Sequence, residues 1–182
     1  MTFGYKERKE EDRQEFIATL KQIDINKVVY LDEAGIDDNE VHESVWSKIG
    51  PRFFGKKPGK KKVRYSLISG LLANKIIAPF VFIGSCIREI FEKYLEAVLL
   101  PTLAPKSIII MDNATFHKGG NIEKLVKQFD CSIIYLPPYS PDLNPIEHFW
   151  FTIKNNARYL ASTTKNAMEA CIISAFEKMC GA

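Results

Sequence analysis

Two acids frame the most informative stretch of the chain, which reads SIIIMDNATFH from Ser107 and CSIIYLPPYSPDLNPIEHFW from Cys131. Asp112 closes a continuous apolar run, Ile108 to Met111, as a strand buried on both faces would show. Glu147 follows a run of turn residues and opens a helix-periodic segment, with thirty-four residues between the two acids. A third acid, Asp32, closes an earlier β-branched and apolar run, Val28 to Leu31, and is expected at the end of that strand. Carboxylates that converge at strand and helix ends repel one another unless protonated or bridged by cations. Mg²⁺ suits an oxygen-only set of this kind. A two-metal cluster can activate a water or a 3′-hydroxyl and stabilise the leaving oxygen of a phosphodiester. Plainer readings stand beside this one. An aspartate at a strand end often just starts a loop, and Glu147, three residues after Asn144, is placed to close a capping box. Glu33 should face away from Asp32 if the strand is still extended there.

The surrounding elements must carry these acids. Residues 5 to 23 read as a surface helix with a thin apolar stripe of Phe16, Ile17 and Leu20. Ala34 to Gly50 reads as irregular, with a short strand around Val45 and Trp46. RYSLISGLLA and KIIAPFVFI form an antiparallel hairpin joined around Asn74 and Lys75. Ser85 is the expected N-cap of a helix that runs from Ile87 to Leu99 and is stopped by Pro101 and Pro105. A βαβ unit follows: strand Ile108 to Met111, a crossover helix marked by Ile122, Leu125, Val126 and Phe129, and a parallel strand Ser132 to Leu136. Asn144 is the expected N-cap of the helix bearing Glu147, with Pro145 at its first position. Ile146, Phe149, Trp150, Ile153 and Ala157 form its buried face, while Glu147, Phe151, Lys154 and Arg158 share another stripe. A last helix carries Met168, Cys171, Ile172, Ala175, Phe176 and Met179. The order predicts an α/β fold, a mixed sheet with helices on both faces.

At 182 residues and 46% apolar content the chain can bury one core. No apolar run approaches the roughly 18 residues of a membrane span. The charged start, MTFGYKERKEEDRQ, lacks a signal peptide's apolar centre, so a cytoplasmic location is the default. The four cysteines show no CxxC spacing and are expected to be reduced. Net charge is only +3, yet Arg52, Lys56, Lys57, Lys60, Lys61, Lys62 and Arg64 stand within fourteen residues that hold no acid. Removing those seven from the 25 bases leaves 18 against 22 acids, so the rest of the chain is about −4. That concentration points to a polyanion contact. GPRFFGKK, from Gly50, falls one residue short of a phosphate-binding loop and puts Lys57 where a Ser or Thr is needed.

DNATFH, then YLPPYSPDLNPIEHFW, with LDEAGI around Asp32 upstream, closely resembles the DDE transposases of the mariner superfamily, particularly its bacterial insertion-sequence branch. The resemblance covers roughly residues 27 to 158, and the SPDLNPIEHFW signature is its most specific part. It implies a ribonuclease-H-like, mixed five-stranded sheet: an antiparallel three-stranded half plus parallel strands. It also implies Mg²⁺ or Mn²⁺ as cofactor, as two ions, and cut-and-paste strand transfer of DNA. By position, Asp32, Asp112 and Glu147 match the catalytic, metal-holding triad, and Asn113, His117 and Asn144 match supporting positions. Beside such a site the 52–64 bases, with Lys154 and Arg158, become expected phosphate contacts.

The resemblance divides the chain into a helical or linker remnant (1–26), a catalytic domain (27–160) and a terminal helix packed on that domain (161–182). Family members carry N-terminal helix-turn-helix modules, and 26 residues are too few for one. The expectation is therefore a catalytic half whose reading head is a separate portion. Its expected partners are transposon-end and target DNA, as a homodimer when active and nucleoid-associated when bound. The rival readings are a silent, DNA-binding or interfering transposase fragment and a generic ribonuclease-H-like nuclease.

Overall fold

The computed structural model describes residues 8–38, 63–114, 121–164 and 166–180. Its central strand, β1, runs Val28–Asp37, five residues past Asp32. Asp32 therefore lies inside the strand, not at its end, and Ala34 is not irregular. The cause is pairing. β2 (Arg64–Leu72) lies antiparallel to β1 along nearly its whole length, from Val29 opposite Leu72 to Asp37 opposite Arg64. Gly35 has no side chain, and the Arg64 guanidinium lies over it where a Cβ would collide.

β3 (Lys75–Ile83) completes the hairpin through Ala73 and Asn74, both left-handed at φ 47° and 63°, as a two-residue primed turn requires. β3 is an edge strand, which tolerates Pro79, and a bulge at Ala78 (φ 50°) absorbs one extra residue. On the other side of β1, β4 (Ile108–Met111) and β5 (Ser132–Tyr135) continue the sheet in parallel. The order is β3-β2-β1-β4-β5, the mixed five-stranded sheet expected.

Helices cover both faces. α1 (Glu10–Leu20), α4 (Ile146–Thr164) and α5 (Met168–Cys180) lie on one. There Trp150, Ile153 and Ala157 of α4 and Cys171, Ile172 and Phe176 of α5 bury Ile36, Leu67 and Leu71 of the sheet. α2 (Arg88–Tyr94) and the crossover helix α3 (Ile122–Gln128) lie on the other, with Phe91, Tyr94, Ile122 and Val126 against Leu31, Ile68 and Ile109. α2 begins after Ile87 with no side-chain cap, so Ser85 does not cap it. It continues through a π turn at Leu95–Leu99 and a 3₁₀ turn at Leu100–Thr102 that already contains Pro101. The strand expected near Val45 and Trp46 lies outside the described residues. The four cysteines are free, as their spacing suggested.

α1 is docked on the sheet. Phe16, 6% exposed, packs with Val28, Ile110 and Leu136, and Arg13 beside it is also buried. If α1 belongs to the fold, Phe16→Ala should lower the free energy of unfolding in urea by about 3 kcal/mol. A loss within about 0.5 kcal/mol, as at an ordinary surface position, would make α1 a free linker.

Candidate active site

The register of the parallel pair decides where the acids sit. Val28, Val29 and Tyr30 pair with Ile108, Ile109 and Ile110, each 80 positions on. Continued two more steps, that register would set Asp32 opposite Asp112, the residue that follows the end of β4. β4 stops at Met111, so the sheet opens here on the β4 side of β1. Asp32 shares the face of Tyr30, Ala34 and Ile36, the face covered by α4. Glu147 sits in the first turn of that helix, at its exposed side. Asp32, Asp112 and Glu147 line one cavity of about 450 Å³, together with Asn113, Asn144 and the Pro137–Pro141 turn.

The three environments differ. Asp32 is buried, at 9% exposure, and its Oδ2 accepts a 3.0 Å hydrogen bond from the Trp150 indole N–H. Burial pushes its carboxyl up to about 8, and the charges of Glu33 and then Glu147 push the same way; the Glu33 backbone N–H and the Trp150 indole pull against them. Asp112 is half-buried, and its Oδ1 accepts from the Ala114 backbone N–H at 3.2 Å, an Asx turn that fixes the strand exit. Glu33 faces the opposite side, as its position in an extended strand requires. There its charge adds to the burial that raises the Cys86 thiol to about 12 and the Tyr94 phenol above its ordinary value.

Neither part of the capping box is made. The Asn144 Oδ1 is buried and without a hydrogen-bond partner, so the Asn144 side chain does not cap α4 as expected. Its backbone N–H already donates to Pro141 O at 2.9 Å, which leaves nothing for Glu147 to close upon. Instead Asn144 O accepts from the Glu147 N–H at 3.2 Å. Glu147 is thus held by backbone bonds while its carboxyl stays available to the cavity.

The supporting and DNA-contact positions separate. Asn113 and Asn144 line the cavity. His117, Arg52, Lys56, Lys57, Lys60, Lys61 and Lys62 lie outside the described residues. Arg64, at the start of β2, stands five strand positions from Ser69, the partner of Asp32, about 17 Å along the sheet. Lys154 and Arg158 follow Glu147 along α4 by about 10 and 16 Å; Arg158 donates to Asn155 Oδ1 at 3.3 Å. Sequence reasoning placed Trp150 in the core without its second role. The clue was available: a buried indole N–H needs an acceptor.

As donors, three carboxylates and an amide oxygen suit a hard divalent cation. The charge of Glu147 that raises Asp32 is the repulsion such an ion would relieve. As they stand, no three His, Cys, Asp or Glu side chains among the described residues are grouped closely enough to hold an ion.

The family described as DDE superfamily endonuclease matches residues 27–169. The chain belongs to that family. It is 25% identical over 118 residues to the Tcb1 transposase of Caenorhabditis briggsae, covering 62% of this chain and 43% of that one. It is 28% identical over 105 residues to the Tcb2 transposase of the same organism, covering 55% and 38%. The chain thus spans less than half the length of these relatives. The fold is similar to the Mos1 strand transfer complex (TM-score 0.65, 15% identity, 98% of this chain and 62% of that chain). It is also similar to the Mos1 transposase catalytic domain with Raltegravir and Mn (0.62, 16%, 100% and 86%). The fold is accordingly ribonuclease-H-like. No helix among the described residues is long and apolar enough to cross a membrane.

The Asp32 environment has a measurable consequence without metal. Its folded pKa, about 8, lies above the ordinary 3.8, so the fold prefers the protonated acid. Stability from this group is complete below about pH 4 and is lost as pH rises through about 8. In EDTA, wild-type unfolding free energy should fall with pH relative to Asp32→Asn, by at most about 1.4 kcal/mol per pH unit. Parallel curves from pH 5 to 8.5 would contradict the assignment.

Proposed function

We propose that this chain is the catalytic core of a cut-and-paste DNA transposase of the mariner superfamily, in its bacterial insertion-sequence branch. In this reading Asp32, Asp112 and Glu147 would hold two Mg²⁺ or Mn²⁺ ions for the cleavage of DNA at the transposon ends and the joining of the 3′ end to a target. The observation that carries it is the opening of these three acids, from within β1, from the exit of β4 and from the first turn of α4, onto a single cavity. The site fits metals by its donor chemistry, and the acids would have to draw together around the ions. Bound ions would activate the attacking hydroxyl and stabilise the leaving oxygen of the phosphodiester.

The chain's own residues supply the rest. Asp32 would hold an ion as its carboxylate, the form that the Trp150 indole N–H favours from the core side. Asp112 is aimed by its Asx turn, and Glu147 by the first backbone bonds of α4. Asn113 and Asn144 offer amides to the same cavity. DNA would approach along α4, past Lys154 and Arg158, with the basic 52–64 segment gripping phosphates. Mos1 has been solved as a paired-end complex with its left transposon end, which supports transposon DNA as the partner here. A homodimer and a separate helix-turn-helix portion complete the proposal.

Mn²⁺-dependent nicking or joining of DNA should be lost in Asp112→Asn; full activity in that variant would end the three-acid reading. Mg²⁺ should stabilise the protein by roughly 1.4 kcal/mol at ten times its dissociation constant. An equal melting shift in Glu147→Gln would remove Glu147 from the site. Neutralising Lys60, Lys61 and Lys62 should reduce the log–log salt slope of DNA affinity by up to about 2.7, and an unchanged slope would return them to ordinary surface. DNA binding with no metal-dependent cleavage would favour the interfering-fragment reading.

A further inference from the structure

We propose that Arg13 is a positioning residue for the candidate active site, fixing through Asp142 the turn that delivers Glu147. The inference rests on the three-acid reading for its consequence, though not for its geometry. Arg13 is 5% exposed and places both terminal nitrogens on one carboxylate: Nη1 donates to Asp142 Oδ1 at 3.0 Å and Nη2 to Oδ2 at 2.7 Å. The partners lie 129 residues apart. A bidentate guanidinium–carboxylate fork fixes orientation as well as distance, which a lysine cannot reproduce. Burying the charged end of an arginine is costly without such a partner.

Asp142 is well placed to transmit this hold. It is the middle residue of the 3₁₀ turn Pro141–Leu143. From that turn, Pro141 O accepts from the Asn144 N–H at 2.9 Å, and Asn144 O accepts from the Glu147 N–H at 3.2 Å. Two backbone bonds therefore connect the clamped turn to the acid. The same helix grips both ends of the loop by apolar contact: Phe16 and Leu20 of α1 belong to a cluster with Leu136, which precedes the turn, and Leu143, which ends it. Between these ends the loop includes Tyr139 in the left-handed region at φ 54° and lines the cavity. Arg8 adds a weaker charge at 3.7 Å from Asp142. The hydrogen bonds and charge of Arg13 hold the Asp142 carboxyl below its ordinary range, and Arg8 adds to this. A helix whose sequence reads as a linker remnant thus clamps the loop that shapes the site.

The test uses the full chain with Arg13→Met, Arg13→Lys, Asp142→Asn and the Met/Asn double variant. Amide hydrogen exchange reads the turn, and Mn²⁺ titration reads the site. Exchange at Asn144, Glu147 and His148 should quicken about tenfold or more relative to Ile110 of β4 when the charge-assisted pair is lost. Mn²⁺ affinity should weaken about 10- to 100-fold, as when a ligand's supporting partner is removed. The double variant should lose little beyond either single, because all remove one pair. Arg13→Lys, which keeps the charge, should fall between wild type and Arg13→Met, and it carries the test if Arg13→Met fails to fold. Turn amides that exchange in step with Ile110, together with unchanged Mn²⁺ affinity, would overturn the proposal even if melting temperature fell. If wild type binds no Mn²⁺ yet the exchange effect holds, the metal reading fails and the clamp stands.

Discussion

The structure turns on a carboxyl group held where a charge is expensive. Asp32 lies within the central strand, 9% exposed, between a partner strand and a covering helix. Removing an ionised carboxylate from water costs far more than one hydrogen bond returns. The Trp150 indole therefore offsets only part of the cost, and the acid favours its proton. The charges of Glu33 and Glu147 add to that cost, while the sheet opens beside Asp32 at the end of β4 and Glu147 stays on the exposed side of its helix.

The two faces of the sheet divide the labour. The face of α2 and α3 is an apolar floor, closed by fully buried Phe91, Tyr94, Leu95 and Ile109. The face of α1, α4 and α5 bears the acid-lined cavity, and α4 both covers the sheet and lines that cavity through Glu147. Ile146, Trp150, Ile153 and Ala157 anchor it on the sheet and α5, so Glu147, one residue past Ile146, inherits a fixed position. α5 stiffens the arrangement from behind, with Phe176 meeting Trp150 edge-on at 6.2 Å between ring centroids. The helix that presents one acid thus also supplies the hydrogen bond to another.

Much of this was legible in the sequence because the signals are local. The apolar run before Asp112, the hairpin around Asn74 and the periodic face of α4 each occupy a few turns or strand steps. The boundaries that went astray depend on distant partners. β1 outlasts its apolar run because β2 pairs with Asp32, Glu33, Ala34 and Gly35 regardless of their polarity. Ser85 and Asn144 look like caps, yet the chain enters α2 after Ile87 and satisfies the first bonds of α4 from its own backbone.

By itself the sequence determined the inventory: three acids, the thirty-four-residue spacing of two of them, and the elements that carry them. It determined family membership too, since the DDE endonuclease match follows from residue types in order along 27–169. Only the tertiary structure decided what meets what. Trp150 reaches Asp32 across 118 residues and Arg13 reaches Asp142 across 129. Helical and strand periodicity record only whether a residue faces inward. Which partner waits there is settled by strand register and helix docking, which arise from the packing of the whole chain.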